Sequence, residues 1–212
     1  MVKIPLCTLF VLAAAAILAG CAVYPAVQVA GHAMTGYDAA ILVDEYLPRT
    51  NVTGGKLTAA DTDRILQRRL RERLRFRNHT GLTAHVIDAN AYLVGQVQGR
   101  NQADQAIRTA ATVQGLKTIT CKFYNAPTDH QTREGATLHA RLITLLKRTD
   151  WLPEVDLRVV TVGTNVVLIG KTEDFRQKSE ALAIASEVGG LTEVVDYISV
   201  RDPLPGDKLA GR

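Results

Sequence analysis

Thiols and histidines are the residues whose type could do chemistry here, and their spacing separates them. Cys21 closes the stretch "LAAAAILAGCAVYP", residues 12 to 25, in which a long apolar run behind Lys3 ends on the small pair Ala19-Gly20. A transmembrane helix needs about 20 apolar residues, and this run is shorter. A positive start, an apolar centre and small residues at the cut describe a secretory signal peptide, here residues 1–20. The histidines are His32, His79, His85, His130 and His139, with no H-x-x-H or H-E-x-x-H pair among them. Zinc ligands recur at fixed spacings, so no metal site and no cofactor is expected. "GGKLT" near Gly54 has some character of a phosphate loop, but Leu57 stands where Ser or Thr would hold magnesium. No serine lies in a nucleophile-elbow context. Cys7 leaves with the signal, and Cys121, on an expected strand between Ile119 and Phe123, reads as a small core residue. Catalysis is not expected.

Leu18-Ala19-Gly20-Cys21 resembles the lipobox of bacterial lipoproteins. That resemblance implies that the Cys21 thiol takes a diacylglycerol and becomes the mature N-terminus. Residues 21–57 are then a lipidated tether and packing segment. Ala22 stands where an aspartate would signal inner-membrane retention, so the resemblance implies the outer membrane, with the chain facing the periplasm. Losing Lys3 lowers the formal charge from +4 to +3, which identifies no partner by itself. With Cys7 removed and Cys21 acylated, Cys121 has no partner, so stability must come from burial.

Two basic surfaces stand out. In "RILQRRLRERLRFRNH", Arg64, Arg68, Arg71 and Arg75 run down one helical side with Arg69, Arg73 and Arg77 beside them. Such a face can lie against anionic head groups, each basic residue contributing ~1 kcal/mol near the surface. A solvated face offset by Glu72 and other acids is the competing reading. Export to the envelope argues against nucleic acid as partner. Further on, Arg141, Lys147 and Arg148 lead into "TDWLP", where Trp151 either sits at a membrane interface or covers a helix end.

The elements that must position these residues come in two copies. Tyr92–Tyr124 superposes on Val167–Ser199 without a gap. Leu93 meets Leu168, Gly95 meets Gly170, Ala106 and Ala110 meet Ala181 and Ala185, and Gly115-Leu116 meets Gly190-Leu191. Each copy reads as αββαβ. The first helix is "TAADTDRILQRRLRERLRF", with Thr58 as N-cap and Asp61 completing a capping box. Its apolar stripe is Leu66, Leu70 and Leu74, matched by Leu138, Leu142 and Leu146. Strands "LTAHVID" and "AYLVGQV" follow, turning around Ala89-Asn90; their counterparts "LRVVTVG" and "VVLIGKT" turn at Thr164-Asn165. Gly99 or Asp174 begins the second helix, with Gln102 or Gln177 as reciprocal partner, and Gly115 or Gly190 ends it. The last strands are "KTITCKFY" and "EVVDYISV".

In the second copy, alternation sends Leu157, Val159, Val166 and Leu168 toward the helices. The opposite face carries Val160, Val162, Val167, Ile169, Val195 and Tyr197, where a water-facing sheet would be polar. That face must be covered, by the other copy, by the 22–57 segment or by another molecule. "DAAILVDEYL" is expected to pack on one copy, and "DPLPGDKLAGR" to form a flexible tail, residues 203–212.

The strand ending in Leu-x-Gly, the Ala-rich second helix and the Gly-Leu before the last strand resemble the BON domain of bacterial envelopes. The resemblance covers residues 58–125 and 133–202, an α+β fold of two tandem domains, each a three-stranded sheet with two helices. Behind a lipobox, the pair resembles the dual-BON lipoproteins of Gram-negative outer membranes. It implies anionic phospholipid binding in envelope maintenance, no catalytic residues, and the Arg141, Lys147, Arg148 and Trp151 surface as the lipid contact. The arginine-rich first helix is the rival surface. An adaptor that docks an envelope protein partner is the alternative function. The chain departs from the family at Ala91, at the Asp88-Ala89 and Gly163-Thr164 turns, and in three inserted residues around "TDWLPEVD".

Overall fold

A computed structural model describes residues 36–42 and 58–201. Cys21, His32, the 1–20 run and the 203–212 tail lie outside the described residues. The elements are β1 (Gly36–Leu42), α1 (Ala59–Phe76), β2 (Leu82–Ile87), β3 (Asn90–Gln96), α2 (Arg100–Ala111) and β4 (Thr118–Tyr124) in the first part. In the second they are α3 (Asp129–Leu146), a 3-10 turn (Leu152–Glu154), β5 (Asp156–Val162), β6 (Asn165–Thr172), α4 (Phe175–Glu187) and β7 (Glu193–Val200). Two units of helix, hairpin, helix and strand follow one another, as the repeat requires.

Both long helices begin on capping boxes. Thr58 Oγ1 accepts from Asp61 N–H while Asp61 accepts back from Thr58 N–H, and Thr128 and Gln131 do the same. Leu66, Leu70 and Leu74 recur every fourth residue, so they form one stripe that is buried on the first sheet. The second helices are alanine-rich for a packing reason. Ala103, Ala106 and Ala110, like Ala181 and Ala185, are buried to 3% exposure or less, and their small side chains let the backbone lie close to the sheet.

The glycine of Leu-x-Gly has a steric cause. A Cβ on Gly95 would stand 2.1 Å from the Gly81 carbonyl, and one on Gly170 2.8 Å from the Asp156 carbonyl. Gly115 and Gly190 have φ of +97° and +101°, as a glycine-ended helix would require. They do not directly follow their helices, however. α2 closes at C-cap Thr112 and α4 at Val188, so the left-handed residue falls in the connection to the last strand. The reciprocal glutamines are displaced by one position too: Gln102 and Gln177 accept from Gln98 and Glu173, the residues before the N-caps.

The first hairpin turns at Asp88 and Ala89, the pair the family resemblance gave, one residue before the Ala89-Asn90 of the strand pattern. Both have positive φ, 51° and 62°, the backbone of a type I′ turn. Neither is glycine, and α1 compensates: the Asp63 carboxylate accepts from both turn N–H groups at 2.7 and 2.8 Å.

β1 joins the outer edge of β4 antiparallel, Gly36 opposite Tyr124 and Leu42 opposite Thr118, giving sheet order β1-β4-β3-β2. The packing expected of "DAAILVDEYL" is therefore strand addition, as far as Leu42. The second sheet has order β5-β6-β7. Its outer face is covered by the first unit. Val94 and Tyr124 form one apolar cluster with Val162, Val167 and Ile169, joined by Ile87, Tyr92, Val160, Val195 and Tyr197. Buried Lys122 reaches Glu193 at 2.8 Å and Tyr124 donates to the same carboxylate at 3.0 Å; Lys171 pairs with Asp88.

Candidate functional site

The basic helix α1 has two working faces. On one, Asp63, Gln67 and Arg71 lie four residues apart and meet alternate residues of the edge strand β2. Asp63 holds the turn, Gln67 Oε1 accepts from Val86 N–H at 3.1 Å, and Arg71 Nε donates to the Ala84 carbonyl at 3.0 Å. Four helical residues rise about 6 Å and two strand residues about 6.6 Å, so the two periods stay in step. Arg71 is thus partly structural. Burial, then the charges of Arg158 and Arg75, make its guanidinium easier to deprotonate than usual.

The other face is solvent. Arg64 pairs with Asp61 at 3.5 Å, while Arg68, Arg69, Arg73, Arg75 and Arg77 are exposed and form no ion pair among the described residues. Phe76 stands among them at 81% exposure. Sequence reading passed over it, although its position was informative. Two residues beyond Leu74, it is turned about 200° from the apolar stripe. It shares a groove with Arg69, Glu72, Arg73 and Arg77.

In the second unit Arg141, Lys147 and Arg148 are exposed at and beyond the end of α3. Trp151 is not. Its ring is 7% exposed within the second core, and its Nε1–H donates to Glu180 at 2.9 Å. The reading of Trp151 as a helix-end cover is the one the geometry matches, so this cluster presents charge without an exposed aromatic.

The remaining candidates for chemistry are dispersed. His79 is buried, His130 lies 3.6 Å from Glu134, and His139 meets the Thr161 hydroxyl at 2.9 Å. Among the described residues no three His, Cys, Asp or Glu side chains are grouped to hold a metal. Cys121 is buried on β4. Between the units lies a cleft of about 790 Å³, lined by Thr83, His85, Gln96, Gly135, His139 and Thr161 among others. Burial, with help from Arg71 and Arg158, lowers the pKa of His85 to about 4.

A family model for the BON domain matches residues 62–123 and again 135–202. The chain belongs to the BON-domain family. Its two BON domains are the two units described above, and β1 is an addition to the first of them. No curated protein matches the chain. One solved structure that overlaps it is of CdsD, a structural protein of the type III secretion system of Chlamydia trachomatis. The two share 13% identity over 70% of this chain and 67% of that one, with a TM-score of 0.27, and nothing further follows from it. In BON terms, the exposed arginines and Phe76 belong to the first helix of the first domain and its C-cap, and Arg141 to the first helix of the second, with Lys147 and Arg148 just past its end.

Proposed function

We propose that this dual-BON chain is a non-catalytic envelope module, anchored at the outer membrane through lipid on Cys21, that binds anionic phospholipid from the periplasmic side. The observation that carries the reading is the solvent face of α1, where five arginines form no ion pair among the described residues and three of them, Arg69, Arg73 and Arg77, share a groove with exposed Phe76. Exposed cations attract an anionic surface, and an aromatic among them can enter it. Trp151 lacks that exposure, so the first helix is the preferred lipid contact and the Arg141, Lys147 and Arg148 cluster a subsidiary one. The adaptor alternative loses its best surface, because the apolar sheet faces are buried on each other.

Vesicle binding tests this. The chain from Ala22 onward should co-sediment with phosphatidylglycerol vesicles and not with phosphatidylcholine, and less so with added salt, which screens exposed charges over about 10 Å at 0.1 M. Arg69→Glu with Arg73→Glu should reduce binding more than Lys147→Glu with Arg148→Glu. The reverse ranking would transfer the contact to the second domain, and no binding at low salt would leave the adaptor reading. The anchor has its own readout. Cys21→Ser should abolish labelling by a palmitate analogue in cells, since only the thiol forms the thioether.

A further inference from the structure

The inference drawn here rests on the phospholipid reading and supplies it with a headgroup site. The groove beside Phe76 does not end at Arg77. Past Arg73, Arg77 and Thr112 it continues into a hollow of about 550 Å³, walled by His79, Gln105, Arg108 and Thr109. Arg69, Arg73, Arg77 and Arg108 come from two helices, and none forms an ion pair among the described residues. Among the described residues Glu72 is the one acid on the wall.

Arginines near a helix C-terminus also offset its dipole. That accounts for only part of this cluster. Each helix end carries roughly half a negative charge. Two such ends and Glu72 oppose four guanidinium groups, so the hollow stays positive. Guanidinium groups suit phosphate because their N–H pairs match its oxygens in two-point contacts.

His79 adds a second kind of wall. It is 4% exposed, and its Nε2 lies 3.4 Å from Thr109 Oγ1. The Thr109 hydroxyl already donates to the Gln105 carbonyl at 2.7 Å, so Nε2–H is the donor in that contact. In the neutral ring Nδ1 is then a buried acceptor, and it has no partner among the described residues. Buried polar atoms are nearly always satisfied, and a hydroxyl is one donor that suits this acceptor. We infer that the groove between the end of α1 and α2 binds the headgroup of an anionic phosphoglycerol lipid. Arg73, Arg77 and Arg108 hold the phosphate, His79 offers an acceptor for a headgroup hydroxyl, and Phe76 enters the acyl region beside it.

The full chain, kept in nonionic detergent, is titrated by calorimetry with short-chain phosphatidylglycerol, short-chain phosphatidylcholine and glycerol 3-phosphate. Phosphatidylglycerol should bind best and phosphatidylcholine at least tenfold more weakly. Arg73→Gln with Arg108→Gln should weaken phosphatidylglycerol at least tenfold, which is about 1.4 kcal/mol. Both residues are exposed, so thermal melts should confirm that this variant stays folded. Phe76→Ser should weaken phosphatidylglycerol and leave glycerol 3-phosphate unchanged. Equal binding of the two glycerol phosphates, with Phe76→Ser silent, would overturn the lipid assignment in favour of a free phosphate ester. If the arginine pair is silent while wild type binds phosphatidylglycerol, the groove is wrong and the phospholipid reading survives. A wild type that binds none of the three overturns both.

Discussion

Gly135 shows how a single atom sets the position of a helix. It sits inside α3, where alanine would ordinarily be preferred by about 1 kcal/mol. Here a Cβ would lie 1.9 Å from the Gly163 carbonyl, in the hairpin turn packed on the helix. The first domain solves the same contact differently, with Asp63 binding the turn N–H groups. Gly135→Ala should therefore lower the melting temperature by several degrees, against its helix propensity. A melt at or above wild type would show that α3 can move off the turn. At the same scale, Trp151 illustrates what side-chain type leaves open. An aromatic in a polar loop suits an interface or a core, and only the contact with Glu180 and the burial of the ring place it in the core.

At the scale of elements, the first sheet has both edges occupied. α1 bonds the backbone of β2 through Asp63, Gln67 and Arg71, and β1 pairs along β4. Strand edges left open invite pairing with other chains. β1 covers β4 from Thr118 to Tyr124, so loss of β1 leaves that backbone edge open. A chain begun at Asn51, lacking β1, should melt lower than one begun at Ala22 and should self-associate in a concentration-dependent way by light scattering. If both variants stay monomeric with equal melts, β1 contributes nothing to closing that edge. Helix starts were legible because caps are local: Thr58 and Asp61 lie three residues apart and need nothing else. Helix ends were less so. A glycine with positive φ marks a change of direction, yet α2 stops at Thr112, before Gly115, where its stripe of alanines runs out.

At the scale of the whole molecule, the two domains share an apolar sheet-to-sheet interface edged by the Lys122–Glu193 and Lys171–Asp88 pairs. Ile169 is fully buried there. Ile169→Asp leaves an unpaired charge in that layer and should cost about 3–5 kcal/mol. Calorimetry should show one transition splitting into two as the domains uncouple; an unchanged melt would put this face in water. His85 makes the molecule sensitive to acid. Its folded pKa is about 4, against an ordinary 6.5, because burial and then Arg71 and Arg158 oppose its charge. The unfolded chain takes the proton first as pH falls, so this contribution is complete above pH 6.5 and is lost between 6.5 and about 4. His85→Asn should flatten the fall in melting temperature over that window.

By itself the sequence determined what depends on neighbours along the chain. The period of each helix and strand, the capping boxes and the apolar second face of β5, β6 and β7 follow from spacings of two to four residues, and the repeat from matching one copy against the other. It also required that this second face be covered. What covers it depends on two surfaces more than 70 residues apart in sequence, such as Lys122 and Glu193, and only the tertiary structure decided that the first domain does. The same holds for the candidate site. Arginines can be counted in α1, but the hollow exists because Arg108 and His79 arrive beside Arg73 and Arg77 from α2 and from the loop after α1. Exposure, too, belongs to the folded molecule: Phe76 and Trp151 are both single aromatics near helix ends, and packing alone leaves one in solvent and buries the other.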